Sequence, residues 1–234
     1  MTGLTWAARL AALATGHAGP PGPGEWPLVG AALLLLAVAG TWLLRSAGLT
    51  RLEAALVAIV APVLVLVDAP LGQVSPQVSL AANLAGCVVP CAVGAKILVE
   101  RRLPGAEAVV VVGLGVLVSF AASRVVPDRG ILLQYRVPAL VIGVASAALL
   151  HKRAEAAGAA AFAGGGLGVV FGADLMHLRS LADSGGAGRI ILGGAGLLDG
   201  IYLVALLSAF VAEATAVVLR AALHVKAPAR GGAV

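Results

Sequence analysis

Charge is what this chain has least of. Only 12% of its 234 residues are Asp, Glu, Lys or Arg and only 4% are aromatic, where an ordinary soluble domain carries about 25% charged residues. That leaves too little polar sequence to clothe a water-facing surface. Cysteine occurs twice, at Cys87 and Cys91, which is too few for a disulfide framework or a closed zinc site. Four residues apart in one apolar segment, the two thiols share a helix face and are expected to pack. Asparagine occurs once, at Asn83. The Lys and Arg residues give a net charge of +5, but they stand singly or in pairs between apolar runs. No basic patch forms, so nucleic acid is excluded as a partner and the cations read as topology determinants. No metal-ligand spacing and no cofactor motif is present.

Apolar sequence is what the chain has in excess: 60% hydrophobic residues and a mean hydropathy of +1.03. Runs near the roughly 20 residues that cross a bilayer recur along its length. The expectation is an all-α fold, a polytopic transmembrane helical bundle of about seven spans, with the lipid bilayer of the cell (inner) membrane as its partner. Residues 1–25 read as an interfacial segment and a Pro/Gly hinge, 26–219 as the transmembrane domain, and 220–234 as a short basic tail. The spans are expected at 26–44, 52–70, 78–99, 106–123, about 131–150, 157–176 and 190–219. The fifth is irregular, because its charge-free run 137–150 covers only about 21 Å. Alternating the spans puts ten of the 16 Lys and Arg residues on one face, which places that face and the C-terminus in the cytoplasm.

Against this background a few polar residues stand out. Asp174 and Asp199 fall inside the sixth and seventh spans, where an ionisable group costs about 2.5–3.5 kcal/mol on insertion scales. Threading the spans puts the two carboxylates at similar depth, near the outer face. Asp68 and Asn83 fall at a comparable level, and His177 lies one turn beyond Asp174. Gly172, Gly196 and Tyr202 flank the two aspartates and are taken as supporting residues. Glu213 is too far along the seventh span to join them, and is expected to snorkel or pair with Arg.

Three chemistries fit this set. Two carboxylates within hydrogen-bonding distance share one proton, the arrangement a diaspartyl hydrolase uses to activate water. The same groups with His177 or Asp68 supply a cation site or a proton relay for a coupled carrier. They also serve simply to hold helices together. Gly193, Gly194 and Gly196 either unwind a helix toward a substrate or let two helices touch. The leading expectation is a hydrolase with Asp174 and Asp199 as its acid and base, and the carrier is the alternative.

At these residues the chain resembles a family of prokaryotic integral membrane proteins of uncharacterised function. The likeness runs from about Arg45 to Leu219. It is carried by Arg-x-x-Gly-Leu at 45–49, Ser-Leu-Ala-Ala-Asn-Leu-Ala-Gly at 79–86 with Pro90, Val-Pro-Asp-Arg-Gly-Ile at 126–131, Gly-Ala-Asp-Leu at 172–175, and Gly-Gly-Ala-Gly-x-x-Asp-Gly-Ile at 193–201. The resemblance implies a polytopic fold and no particular activity. A fainter similarity is to presenilin-type and prepilin-peptidase-type aspartyl proteases, which also place one Asp on each of two helices and so imply proteolysis. Their Gly-x-Gly-Asp motif is not reproduced, since two leucines separate Gly196 from Asp199.

Overall fold

Alanine and glycine determine how closely these helices pack. In a computed structural model of the chain, which describes residues 26–100, 105–126, 130–183 and 188–225, seven helices are found among those residues. They are α1 (Trp26–Ser46), α2 (51–63), α3 (Leu84–Val99), α4 (Gly105–Ala121), α5 (Arg136–Leu149), α6 (His151–Asp183) and α7 (Gly200–Val225). The chain divides after Gly40 into two units, and everything below concerns the second.

Within that unit α6 is the axis, flanked by α3, α4, α5 and α7. Its stretch 157–166 is wholly buried, and Phe162 is the only large side chain there. The backbones approach so closely that small residues are obligatory. A Cβ on Gly168 would lie 2.6 Å from the Gly115 carbonyl carbon of α4, and one on Gly165 would lie 2.8 Å from the Val204 carbonyl of α7. Such approach is how apolar helices associate without a hydrophobic drive between them.

Two helices, His151–Asp183 and Gly200–Ala222, are long and apolar enough to cross a membrane, and Leu84–Val99, Gly105–Ala121 and Arg136–Leu149 are shorter apolar helices. The expected bundle is therefore mostly helical, but it is not all-α. Two small sheets join the helices: β1 (Asp68–Ser75), β2 (Val78–Asn83) and β5 (Arg189–Leu192) in the order β1-β2-β5, and a hairpin of β3 (Ser123–Val126) and β4 (Gly130–Leu133). β2 pairs antiparallel with β1, Asp68 opposite Asn83, and parallel with β5, Leu80 opposite Ile190.

These strands replace parts of three expected spans. The second ends as helix at Val63, the third begins as β2, and the seventh begins as β5. Hydropathy cannot separate an apolar strand from an apolar helix, and β2 and β5 are both apolar runs. The irregular start of the fifth span is β4 and a turn before α5. The N-terminal segment and hinge (1–25), Arg101, Arg102, Arg129 and most of the basic tail, with Lys226 and Arg230, lie outside the described residues.

Apolar side chains face outward on several elements. Val63 is 76% exposed, Leu66 92%, Val109 73% and Val218 65%. Ser119, Ser146 and Ser208 are fully buried instead. Glu213 pairs with Arg220 at 3.1 Å.

Candidate functional site

Proline and π-helical turns shape the ground on which the polar residues stand. In α2 the turn Leu56–Val60 is π-helical: the Ala61 amide bonds the Leu56 carbonyl, and Pro62 has no amide to offer. The Val57 carbonyl is thus stranded within its own helix. Tyr202 on α7 supplies the missing donor, its hydroxyl donating to Val57 O at 2.7 Å. In α3 the turn Leu84–Val88 repeats the design, with the Val89 amide on the Leu84 carbonyl and Pro90 next. The two turns share the pattern Leu-x-x-x-Val-x-Pro, at 56–62 and 84–90. That repeat was the available sequence signal for the widened turns. A third π-helical turn, Val170–Leu175 in α6, carries Asp174. Single π-helical turns concentrate at functional sites.

Asn83 caps the second of these turns, accepting from the Gly86 amide at 2.9 Å. Its amide donates to the Val65 carbonyl at 2.8 Å and to Asp68 Oδ1 at 3.0 Å. Arg189 donates to Asp68 Oδ2 at 3.2 Å. Asp68, Asn83 and Arg189 form one bonded node that ties the three-stranded sheet to the head of α3. Arg189 was not anticipated as a member, because its place beside Asp68 depends on the parallel β2–β5 pairing.

Asp199 was expected some nine residues into a helix, and the structure places it elsewhere. The run Gly193–Gly196 is a loop between β5 and α7, with Gly193 at φ 70° and Gly196 at φ 61°, conformations that L side chains rarely adopt. Asp199 then sits in extended backbone directly before α7. It is the N-cap: its Oδ1 accepts from the Ile201 amide at 2.9 Å, and the Ala195 amide also reaches the carboxylate. The close-contact use of the glycines is the one seen, since Gly193 packs on the Gly86–Cys87 backbone of α3.

Asp174 is half-buried, and among the described residues its carboxylate makes no hydrogen bond or ion pair. It lies within electrostatic range of Asp199, and both carboxylates lie within range of the Cys91 thiol, which interacts with Cys87. No hydrogen bond joins Asp174 to Asp199. His177 is on the same helix, but its ring Nδ1 donates to the Ala173 carbonyl at 2.9 Å and the ring lies against Phe120, with centroids 5.0 Å apart. Gly172 holds α6 against α4, because a Cβ there would strike the Val116 carbonyl.

The expected residues therefore fall into two sets. Asp174 and Asp199 lie within electrostatic range of each other and of the Cys91 thiol. Asp68 and Asn83 meet each other in the sheet node. The sets are linked through Gly86, whose amide is held by Asn83 and whose Cα abuts the Gly193 and Gly196 carbonyls. Among the described residues no group of three or more His, Cys, Asp and Glu side chains converges to hold a metal ion.

The family described as Protein of unknown function (DUF1614) matches residues 45–211 of the chain. No curated protein and no solved structure matches it, so the fainter similarity to presenilin-type proteases gains no support.

Proposed function

The chain belongs to that family of unknown function, so its activity has to be argued from the site, and we propose that it is a polytopic inner-membrane carrier that couples passage of a small solute to a proton held by Asp174 and Asp199. The observation that carries this reading is the contrast within the pair. Asp199 is held by backbone amides at the head of a helix separated from its strand by a glycine loop, while Asp174 has no bonding partner among the described residues. A carboxylate without a fixed partner is free to take and give up a proton. Broken helices with extended backbone at their ends are the usual construction of a coupled transport site. A proton suits the pair better than a metal ion, because two carboxylates, with the His177 Nδ1 already bonded to the Ala173 carbonyl, offer too few ligands for a divalent cation.

The outward-facing apolar side chains support lipid as the surroundings of the bundle. On this reading the shorter apolar helices α3, α4 and α5 cross or enter the bilayer together with the strands that extend them, which restores about seven passes with a cytoplasmic C-terminus.

The test is uptake in proteoliposomes. A radiolabelled panel of organic acids, amines, amino acids and sugars is offered under an inward proton gradient. At least one solute should accumulate, uptake should collapse with a protonophore, and Asp174→Asn or Asp199→Asn should reduce it by about 100-fold or more. Uptake that ignores both substitutions rejects the carrier. A second reading, the diaspartyl hydrolase, is favoured by the two carboxylates lying within electrostatic range of each other. Its signature is cleavage of a membrane-embedded peptide library that is lost in both single Asn variants.

A further inference from the structure

We infer that the cavity at the β4–α5 junction binds the carboxylate group of a small organic acid with an apolar body, and that Arg136 is the group that recognises it. The inference rests on the coupled-carrier reading and names the solute class for it. The cavity is a pocket open to the surface, with about 350 Å³ of space, lined by Leu133, Gln134, Tyr135, Arg136 and Val137. That volume is at the small end of ligand sites, which combine apolar walls with a few placed polar groups. Here Leu133, Val137 and the Tyr135 ring supply the walls, while Arg136 and Gln134 supply the polar groups.

Three amides hold the backbone of this turn. The Gln134 amide donates to the Ala122 carbonyl at 3.0 Å, the Val137 amide to the Gln134 carbonyl at 3.1 Å, and the Ala139 amide to the Tyr135 carbonyl at 3.2 Å. These bonds fix the turn, and the Gln134 and Arg136 side chains project from it. Arg136 is exposed and makes no ion pair among the described residues, and its guanidinium carbon stands 5.9 Å from the Tyr135 ring centroid. A guanidinium leaning on an aromatic face keeps its fork of donors for a planar anion, which a carboxylate meets with two parallel bonds.

Position connects this cavity to the aspartates. Leu133 forms its wall and also packs on Gly200, the first residue of α7, so closely that a Cβ at Gly200 would lie 2.7 Å from Leu133 Cδ2. Asp199, the cap of that helix, is the next residue. An acid held by Arg136 therefore lies one side chain away from the helix end that carries half of the proton pair, which is the juxtaposition a proton–anion symporter needs.

The experiment is equilibrium binding of benzoate to the full-length protein in detergent micelles by titration calorimetry, with neutral benzamide as the isostere. Benzoate should bind, and benzamide should fail to compete. Arg136→Gln should weaken benzoate about tenfold or more, while Arg136→Lys keeps part of the affinity. Val137→Trp, at an exposed position on the wall, should block binding with Arg136 intact. Equal binding of benzoate and benzamide, wild-type affinity in Arg136→Gln, or no binding by the wild-type protein each overturns the inference. Displacement of benzoate by phosphatidylglycerol would also overturn it, because the anion recognised would then be a lipid headgroup. The two readings fail separately. Benzoate binding without proton-driven uptake removes the carrier and leaves the site, whereas Asp174-dependent uptake of another solute without benzoate binding removes only this site.

Discussion

Two acidic residues in the bundle differ in one respect that decides their roles. Glu53, at the head of α2, is fully buried. Its Oε2 accepts from the Thr50 amide at 2.8 Å, and its Oε1 accepts from Lys96 at 2.8 Å. Lys96 in turn bridges to Glu100 at 2.6 Å. Asp174 is less buried and has no bonding partner among the described residues. Glu53 bonds Lys96 of α3, and Asp174 lies within electrostatic range of Cys91 on the same helix, five residues and so about 7.5 Å away along its axis. A buried acid with both oxygens engaged stabilises the fold, and a proton on it would break bonds. A half-buried acid without a bonding partner among the described residues gives the fold no bond, and in the proposed carrier its role is to take up and release a proton.

That comparison is tested most sharply by exchanging carboxylate for amide at each place. Asp174→Asn should abolish gradient-driven uptake, about 100-fold or more, while leaving the thermal midpoint in detergent unchanged or raised, as expected where activity and stability are traded. A lowered midpoint with uptake intact would make Asp174 a packing residue and dissolve the contrast. Glu53→Ala should do the reverse. It removes the capping box with Thr50 and the charge-assisted bond from Lys96 to a buried side chain, together a cost of about 3 kcal/mol. Lys96 itself, 34% exposed, keeps Glu100 and solvent. Uptake per folded molecule should survive. Thermal unfolding read beside proteoliposome uptake settles both.

Tyr202→Phe is the next test and a smaller one. It leaves the Val57 carbonyl without a donor in a helix where Pro62 cannot supply one. The cost is about 1–3 kcal/mol, read as a lower thermal midpoint. Tyr202 belongs with Glu53 in this comparison, as a polar group whose bond holds two elements together. Wild-type stability in this variant would show that the stranded carbonyl is satisfied by other means.

The same contrast shows what could be read in advance. Polarity inside apolar runs picked out Asp174 and Asp199, and depth along the spans put them at one level, a one-dimensional argument; in the structure they lie within electrostatic range of each other without a bond between them. Asp68 and Asn83 were also picked out, but their bond to each other and to Arg189 depends on strand register. Register is absent from a hydropathy profile: Ser79–Asn83 and Ile190–Leu192 read equally well as helix. Asp199 was read as a helical residue because the glycine loop before it has apolar neighbours on both sides. The positive φ at Gly193 and Gly196 is what breaks the helix there. Most of the helical mass was legible because apolar length is a strong signal. The widened turns were not, although Pro62 and Pro90 repeat at matching positions after Leu56 and Leu84.

The smallest expected effect separates the two duties of Asp199. As an N-cap it needs only a side-chain oxygen, and Asn provides one, so Asp199→Asn should change stability by less than about 0.5 kcal/mol. Asp199→Ala removes the bond to the Ile201 amide and should cost about 1 kcal/mol. Both remove the titratable group. If uptake falls equally in the two variants while only Ala lowers the thermal midpoint, the carboxylate is needed for its proton and the oxygen for its cap. If uptake follows the midpoint instead, Asp199 joins Glu53 and Tyr202 as a residue that holds the fold, and Asp174 is left without a partner for its proton.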